Sequence, residues 1–550
     1  MEHNGNITKE DSFSQICRNI YAGVISVAIL AILVVFPLYY RDHYFDILES
    51  KYQFYYMTMI SMFAVVLLLS LAFLIVDALE FKAEHAKACI KKCSSAFPRD
   101  VRTAVDVCLI IFLVVAIIST CQSDYVYEAF WGNEGRFTGL FLHLIYIAGF
   151  FVISRLYRFK GWHLYIFLAV AMLPLLFGIT DYFRLDLLGF KENVAAEDVD
   201  SFTSTFGNIN TYVTYIGIVL GMFSALFVME EKGWKAVLSF AGYMITFLAL
   251  IMSNSENGII AVGFIFAFLP LIAFQNLRGI ERYLWLLSGF FAACEIVSRI
   301  NALDIPVITL DGVCRMLSNF RFAFPSALLI GSVALLFHFF CRKDKGENVN
   351  NPGNEHQNGE LGKKYVKIWA GFLIACFCVG IFVLYDANVA GHSERYGSLG
   401  TYLHFSDAWG NYRGMIWKIA LESYAKQPFG HKLWGYGLDT FGLMTYDYRD
   451  ITKSMNAQVY DSAHNEYLQY LVSVGPIGLL AYLGFLGTAI YIIVRRSREK
   501  KWGIAVASGV CCYLLQALVT INLPIVTPMM WTLLSMGVAN MEKDKKRLQK

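Results

Sequence analysis

Apolar runs about 17 to 25 residues long recur along this chain, and nothing else limits its fold as strongly. About fourteen can be read, near 20–40, 54–79, 103–120, 137–154, 161–182, 210–229, 236–253, 258–275, 283–300, 321–341, 366–387, 476–494, 502–521 and 524–541. In hydrocarbon an unpaired backbone amide or carbonyl costs several kcal/mol, so segments of this length cross as helices. The expected fold is therefore an all-α polytopic membrane protein with about 14 transmembrane helices. Composition agrees: 57% of the 550 residues are hydrophobic and 16% are charged, against about a quarter charged in a soluble chain. A net charge of +3 gives no footprint for nucleic acid. The first run is read as a retained helix rather than a cleaved leader.

Cations fall on alternate connections. Lys82, Lys87, Lys91, Lys92, Arg99 and Arg102 follow the second run, and Arg155, Arg158 and Lys160 follow the fourth. Lys232 and Lys235, Arg278 and Arg282, Arg342 to Lys364, Arg495 to Lys501 and the tail Lys543 to Lys550 continue the series. With both termini cytoplasmic, all of these share one side. The expected division is 1–387 for spans one to eleven, with 342–364 a flexible cytoplasmic linker. Then come 388–475, one large extracytoplasmic loop with short amphipathic helices, and 476–550, the last three spans with a basic tail. The 12 cysteines lie mostly within apolar runs, and Cys89 and Cys93 lack the spacing of further metal ligands, so no metal site is expected.

The long loop holds four of the 11 histidines: His392, His404, His431 and His464. Residues 411–426 read as an amphipathic helix capped by Asn411 and stopped before Pro428, with Arg413, Trp417, Ala420 and Tyr424 on one face. Arg413 is then either an interfacial anchor beside Trp417 or an anion-binding group. Gly435-Tyr436-Gly437 with Asp439 reads as a tight turn able to approach a ligand. His464 is placed at the start of a second helix capped by Asp461 or Ser462. A helix N-terminus disfavours imidazolium, so His464 is either a neutral general base or a histidine bonded within the loop fold. Arg136, in Gly135-Arg136-Phe137-Thr138-Gly139, and Asn208 and Asn210, before the sixth run, fall on the same side.

Four segments together resemble the superfamily of O-antigen ligases and O-antigen polymerases, which are integral membrane glycosyltransferases. They are His464-Asn465-Glu466-Tyr467-Leu468-Gln469 with Gly475-Pro476-Ile477-Gly478, Arg413 with Trp417 and the glycines behind it, Gly207-Asn208-Ile209-Asn210, and the Arg136 segment. The resemblance implies an inverting, metal- and cofactor-independent transfer in surface polysaccharide biosynthesis at the cell envelope. A glycan would move from a polyprenyl diphosphate carrier to an acceptor hydroxyl on a glycan or lipid-glycan, at the outer face of the membrane. His464 and Arg413 would be catalytic. Arg136, Asn465, Glu466, Trp417, Asn208, Asn210, Glu256 and Tyr436 would bind substrate. Many members carry Ser-Arg-Gly at the turn after the seventh helix, whereas this chain has Ser255-Glu256-Asn257-Gly258. The missing charge would then come from Arg136, Arg299 or Arg321, or the substrate differs. The alternative from another class is a multi-span transporter or flippase for lipid-linked glycans, which would place charges at mid-membrane around broken helices.

Overall fold

Each apolar run becomes a helix, because only helices satisfy their own backbone in hydrocarbon. The computed structural model describes residues 9–88, 101–348, 354–456 and 459–541. Cys89, Cys93, Lys91, Lys92, Arg99, the middle of the expected linker (349–353) and the tail from 542 lie outside the described residues. Helices α1 (Lys9–Leu30), α2 (Ile47–Phe81), α3 (Val101–Gln122), α4 (Leu140–Leu156), α5 (Gly161–Tyr182), α6 (Ile209–Met229) and α7 (Gly233–Met252) come first. They are followed by α8 (Gly258–Phe268), α9 (Leu277–Asn301), α10 (Ala323–Asn348) and α11 (Asn354–Asn388). Helix α12 (Trp409–Lys426) lies in the long loop, and α13 (Glu466–Arg496), α14 (Lys500–Gln516) and α15 (Thr527–Ala539) complete the chain. The protein is 77% helical. Sheet among the described residues is limited to Phe202–Thr203 paired antiparallel with Gly207–Asn208.

Nine helices among the described residues are long and apolar enough to cross a bilayer, or ten if the bent pair Gly312–Ser318 and Ala323–Phe339 is one span. The expected fourteen is not reached at that length. Helices α4 and α14 have 17 residues and α15 has 13, while α8 stops at Phe268 and Pro270 begins a separate turn. Residues 517–526 are apolar enough to extend a hydropathy run, but Asn522, Pro524 and Pro528 divert them into a turn. The segment expected to be an irregular linker is helical where described, since α10 reaches Asn348 and α11 starts at Asn354.

Helix α6 is the axis: 94% of its apolar window is buried, and α14, α7 and α8 wrap it. Helix α13 packs on α3, α9 on α10, and α4 on α15. By contrast α2 and α11 are 11% and 0% buried over their apolar windows. Their exposed Leu67, Leu68, Phe372 and Phe377 are surfaces suited to lipid rather than to water.

Asn208 and Glu230 flank the 21-residue α6, so they lie about 30 Å apart. At the Glu230 end gather cations of the predicted basic connections. Lys501 Nζ is 3.0 Å from Glu230 Oε2, Arg278 Nη2 donates to the Glu231 carbonyl at 2.7 Å, and Lys235 lies 4.7 Å from the Tyr165 ring centre. At the Asn208 end the long loop folds back. Lys51 helps fix that end: its buried Nζ donates to the Phe36 and Pro37 carbonyls at 2.8 and 3.2 Å, and Thr205 Oγ1 donates to the same Pro37 carbonyl at 2.6 Å.

The loop has its own small core of Ile416, Ala420, Phe441, Ala463 and Val472. Its helices are α12 and the short Gly400–Leu403, Phe429–Trp434, Phe441–Met444 and Arg449–Asn456. Asn411 does not cap α12. Gly410, Asn411 and Tyr412 instead form a left-handed turn with φ of 60°, 58° and 65°, and the right-handed helix starts at Arg413.

Candidate functional site

His464 is held by its neighbours rather than by its own side chain. The Trp417 indole Nε1 donates to the Ala463 carbonyl at 3.0 Å, and the Ala463 amide donates to Gln469 Oε1 at 2.9 Å. Ala463 is fully buried and clamped on both sides. His464 itself takes φ +47°, a left-handed conformation uncommon outside glycine and typical of sites where packing over-determines the backbone. The cap of α13 is Asn465, not Asp461 or Ser462. Its side chain accepts from the Tyr467 and Leu468 amides, both at 3.0 Å. His464 thus stands just outside the helix, and neither ring nitrogen has a hydrogen-bond partner among the described residues. Burial, with Arg136 and Arg413 nearby, lowers its pKa to about 4 against an opposing pull from Asp461. The imidazole is therefore neutral at pH 7, with burial the leading cause.

Arg413 opens the right-handed part of α12. Its Nη1 donates to the Gly410 carbonyl at 2.6 Å, its buried Nε has no partner, and it has no ion pair among the described residues. Burial lowers its pKa, opposed by Glu256 and Tyr460. Arg136 is different: Nε and Nη2 reach Asp461 Oδ2 and Oδ1 at 2.9 and 2.5 Å, a bidentate pair. The Arg136 loop is fixed from below by Asp439, whose Oδ2 accepts from the Asn133 and Thr138 amides at 2.8 and 2.9 Å. Burial pushes the Asp439 carboxyl up to about 6, against those two amides.

Arg136, Asn208, Asn210, Arg413 and His464 line one cavity of about 200 Å³, closed by Thr211, Thr214, Tyr513 and the 519–527 turn. Asn208 caps α6, accepting from the Asn210 amide at 2.8 Å. Asn210 Oδ1 accepts from Ser255 Oγ at 2.8 Å and Asn257 Nδ2 at 2.9 Å, which ties α6 to the turn after α7. A second cavity of about 670 Å³ adjoins it, with Arg413 and Val519 lining both, and Glu256 is exposed to this second space. Arg299 is exposed and paired with Glu295 at 2.6 Å. Neither Arg299 nor Arg321 lines either cavity.

Four expected binding residues do not line these cavities. Trp417 and Asn465 hold the His464 backbone, as above. Glu466 is 1% exposed and accepts from the Tyr482 and Tyr513 hydroxyls at 2.7 and 3.1 Å, which locks α13 to α14. Tyr436 donates to Asp124 Oδ2 at 2.9 Å, away from His464. Its flanking glycines approach protein, not ligand. A Cβ on Gly435 would sit 2.2 Å from the Ser473 carbonyl oxygen, and one on Gly475 2.2 Å from that of Leu433. The amides of Tyr436 and Gly437 close this contact on the carbonyls of Val472 and Ser473 at 3.0 and 3.1 Å.

Sequence reasoning missed Tyr513, Thr527, Tyr402 and Trp409. Tyr513 lies inside the 502–521 run and Thr527 near the start of the 524–541 run, polar groups that helical phase could have used. Tyr402 and Trp409 precede the recognisable helix and carried no pattern.

The protein family described as O-antigen ligase matches residues 307–483. No curated protein matches the chain. The matched segment contains Arg413, Trp417, His464 and Asn465, and leaves Arg136, Asn208, Asn210 and Glu256 outside it.

Proposed function

We propose that this O-antigen ligase/polymerase-like membrane protein moves a glycan from a polyprenyl diphosphate carrier to an acceptor hydroxyl at the extracytoplasmic face. One observation carries the reading: an unpartnered, neutral histidine and two arginines line the same cavity at the loop end of the helices. A cavity with two guanidiniums and no lining carboxylate suits a diphosphate. A neutral imidazole beside it suits removal of a proton.

In the proposed step His464 takes the proton of the acceptor hydroxyl as that oxygen forms a bond to the anomeric carbon. The bond from that carbon to the diphosphate oxygen breaks, and its electron pair leaves on the diphosphate. Arg413, with free donor capacity, stabilises the leaving charge. Arg136 contributes field, and it contributes hydrogen bonds only when substrate draws it from Asp461. A single displacement of this kind inverts the anomeric centre. Asn208 and Asn210 stand at the rim, where amides can bond sugar hydroxyls. The cation-rich end of the bundle is assigned to the cytoplasm and the loop to the outside, so the donor reaches the site from the outer leaflet.

The test is donor handling by Arg413→Ala protein purified in nanodiscs. Loss of transfer with normal expression and unfolding temperature is expected, and undiminished transfer would exclude Arg413 from the chemistry.

A further inference from the structure

We infer that the 670 Å³ cavity beside the His464 site is a glycan subsite, selective for neutral or amino sugars over acidic ones, with Glu256 and Trp409 as its recognition residues. This rests on the proposed transfer reaction and names where the sugar chain sits. The volume falls within the about 300–1,000 Å³ usual for small-molecule sites. Its chemistry differs from that of the neighbouring space. The His464 cavity has two arginines and no lining carboxylate, whereas here Glu256 faces Arg413.

Glu256 is held for use. Its Oε1 accepts from the Tyr402 hydroxyl at 2.9 Å and the Val313 amide at 3.1 Å, while Oε2 has no hydrogen bond among the described residues. The held position is close-fitting, since a Cβ on Gly312 would fall 1.6 Å from Oε1. Tyr402 is itself positioned, because the Trp409 indole Nε1 donates to its carbonyl at 2.8 Å. The Trp409 ring then offers an aromatic wall between Phe405 and Trp417, at 4.9 and 5.3 Å between ring centres. A carboxylate oxygen accepting from hydroxyls, beside an indole face, fits a pyranose. A phosphate or uronate set against Glu256 would meet a like charge, which leaves anionic groups to Arg413, the guanidinium that lines both cavities. The diphosphate is thereby directed to the arginines, and the sugars run out past Arg413.

Two sources supply such a glycan: the donor's own sugar chain and the acceptor. Steady-state kinetics of the full chain in nanodiscs separate them, using the lipid-linked glycan fraction and the acceptor fraction from the producing cells. Each substrate is varied in turn for Glu256→Gln, Tyr402→Phe and Trp409→Ala. The expected result is a KM raised about tenfold for one substrate only, with kcat little changed, as for loss of uniform binding. A rise in donor KM assigns the cavity to the donor chain, and a rise in acceptor KM assigns it to the acceptor. Unchanged KM values in Glu256→Gln and Tyr402→Phe, or a fall in kcat alone, overturn the subsite. If His464→Ala is inactive while these variants behave as native, only the subsite fails. If His464→Ala transfers normally, the underlying reading fails.

Discussion

His464 has a testable acid limb. Its pKa is lowered to about 4, first by burial and then by Arg136 and Arg413. A general base must be neutral, so kcat/KM should hold as pH falls through 6.5, the ordinary histidine value, and decline only near 4. Replacing Arg413 by Gln removes one of the charges that disfavour imidazolium, so the limb of the residual activity should move toward neutral pH. A native limb at the ordinary histidine value, unmoved in Arg413→Gln, would mean that another group titrates. The polar neighbours Asn465 and Glu466 among apolar runs marked His464 in the sequence, and the resemblance to the ligase and polymerase superfamily, rather than the residues alone, proposed it as catalytic. Its surroundings were not. Asp461 read as a cap but proved the bidentate partner of Arg136, a contact across 325 positions that no local pattern encodes.

At the scale of elements, the site depends on two joints that carry no chemistry. The first is Trp417 on α12 reaching the Ala463 carbonyl. Trp417→Phe keeps the ring and loses the donor, about 1 kcal/mol. Transfer should fall through kcat while the unfolding temperature stays near native, and an unchanged kcat would remove the clamp from the mechanism. The second is the backbone contact between 433–437 and 472–475. Gly475→Ala combines φ +66° with a Cβ 2.2 Å from the Leu433 carbonyl oxygen, a strain on the order of 1–3 kcal/mol. Thermal unfolding in detergent should drop by several degrees, and a native value would show that the joint yields freely. Sequence found the helix of 411–426, because amphipathic spacing and Pro428 mark it. It misread Asn411, because a left-handed turn of Gly410, Asn411 and Tyr412 leaves no periodic trace. The glycines around Tyr436 were noticed for the right physical property and given the wrong neighbour.

Over the whole molecule, helical segments were legible and crossings were not. Hydropathy reports burial from water and does not separate a full span from α15, whose 13 residues are enclosed by protein. The proposed orientation rests on the alternation of basic connections, and it can be measured. In a cysteine-free background, cysteines placed singly at Ser398 and Asp447, both exposed, should react with an impermeant maleimide on intact cells, and cysteines at the exposed Glu231 and Arg498 only after permeabilisation. Labelling of both sets from outside would break the assigned topology. The reaction itself is tested most directly by His464→Ala protein, purified in nanodiscs and given lipid-linked donor and acceptor under single-turnover conditions. The expected result is donor binding within twofold of native and a transfer rate lower by about 100- to 10,000-fold, the usual contribution of a positioned base. Transfer at the native rate would contradict the mechanism.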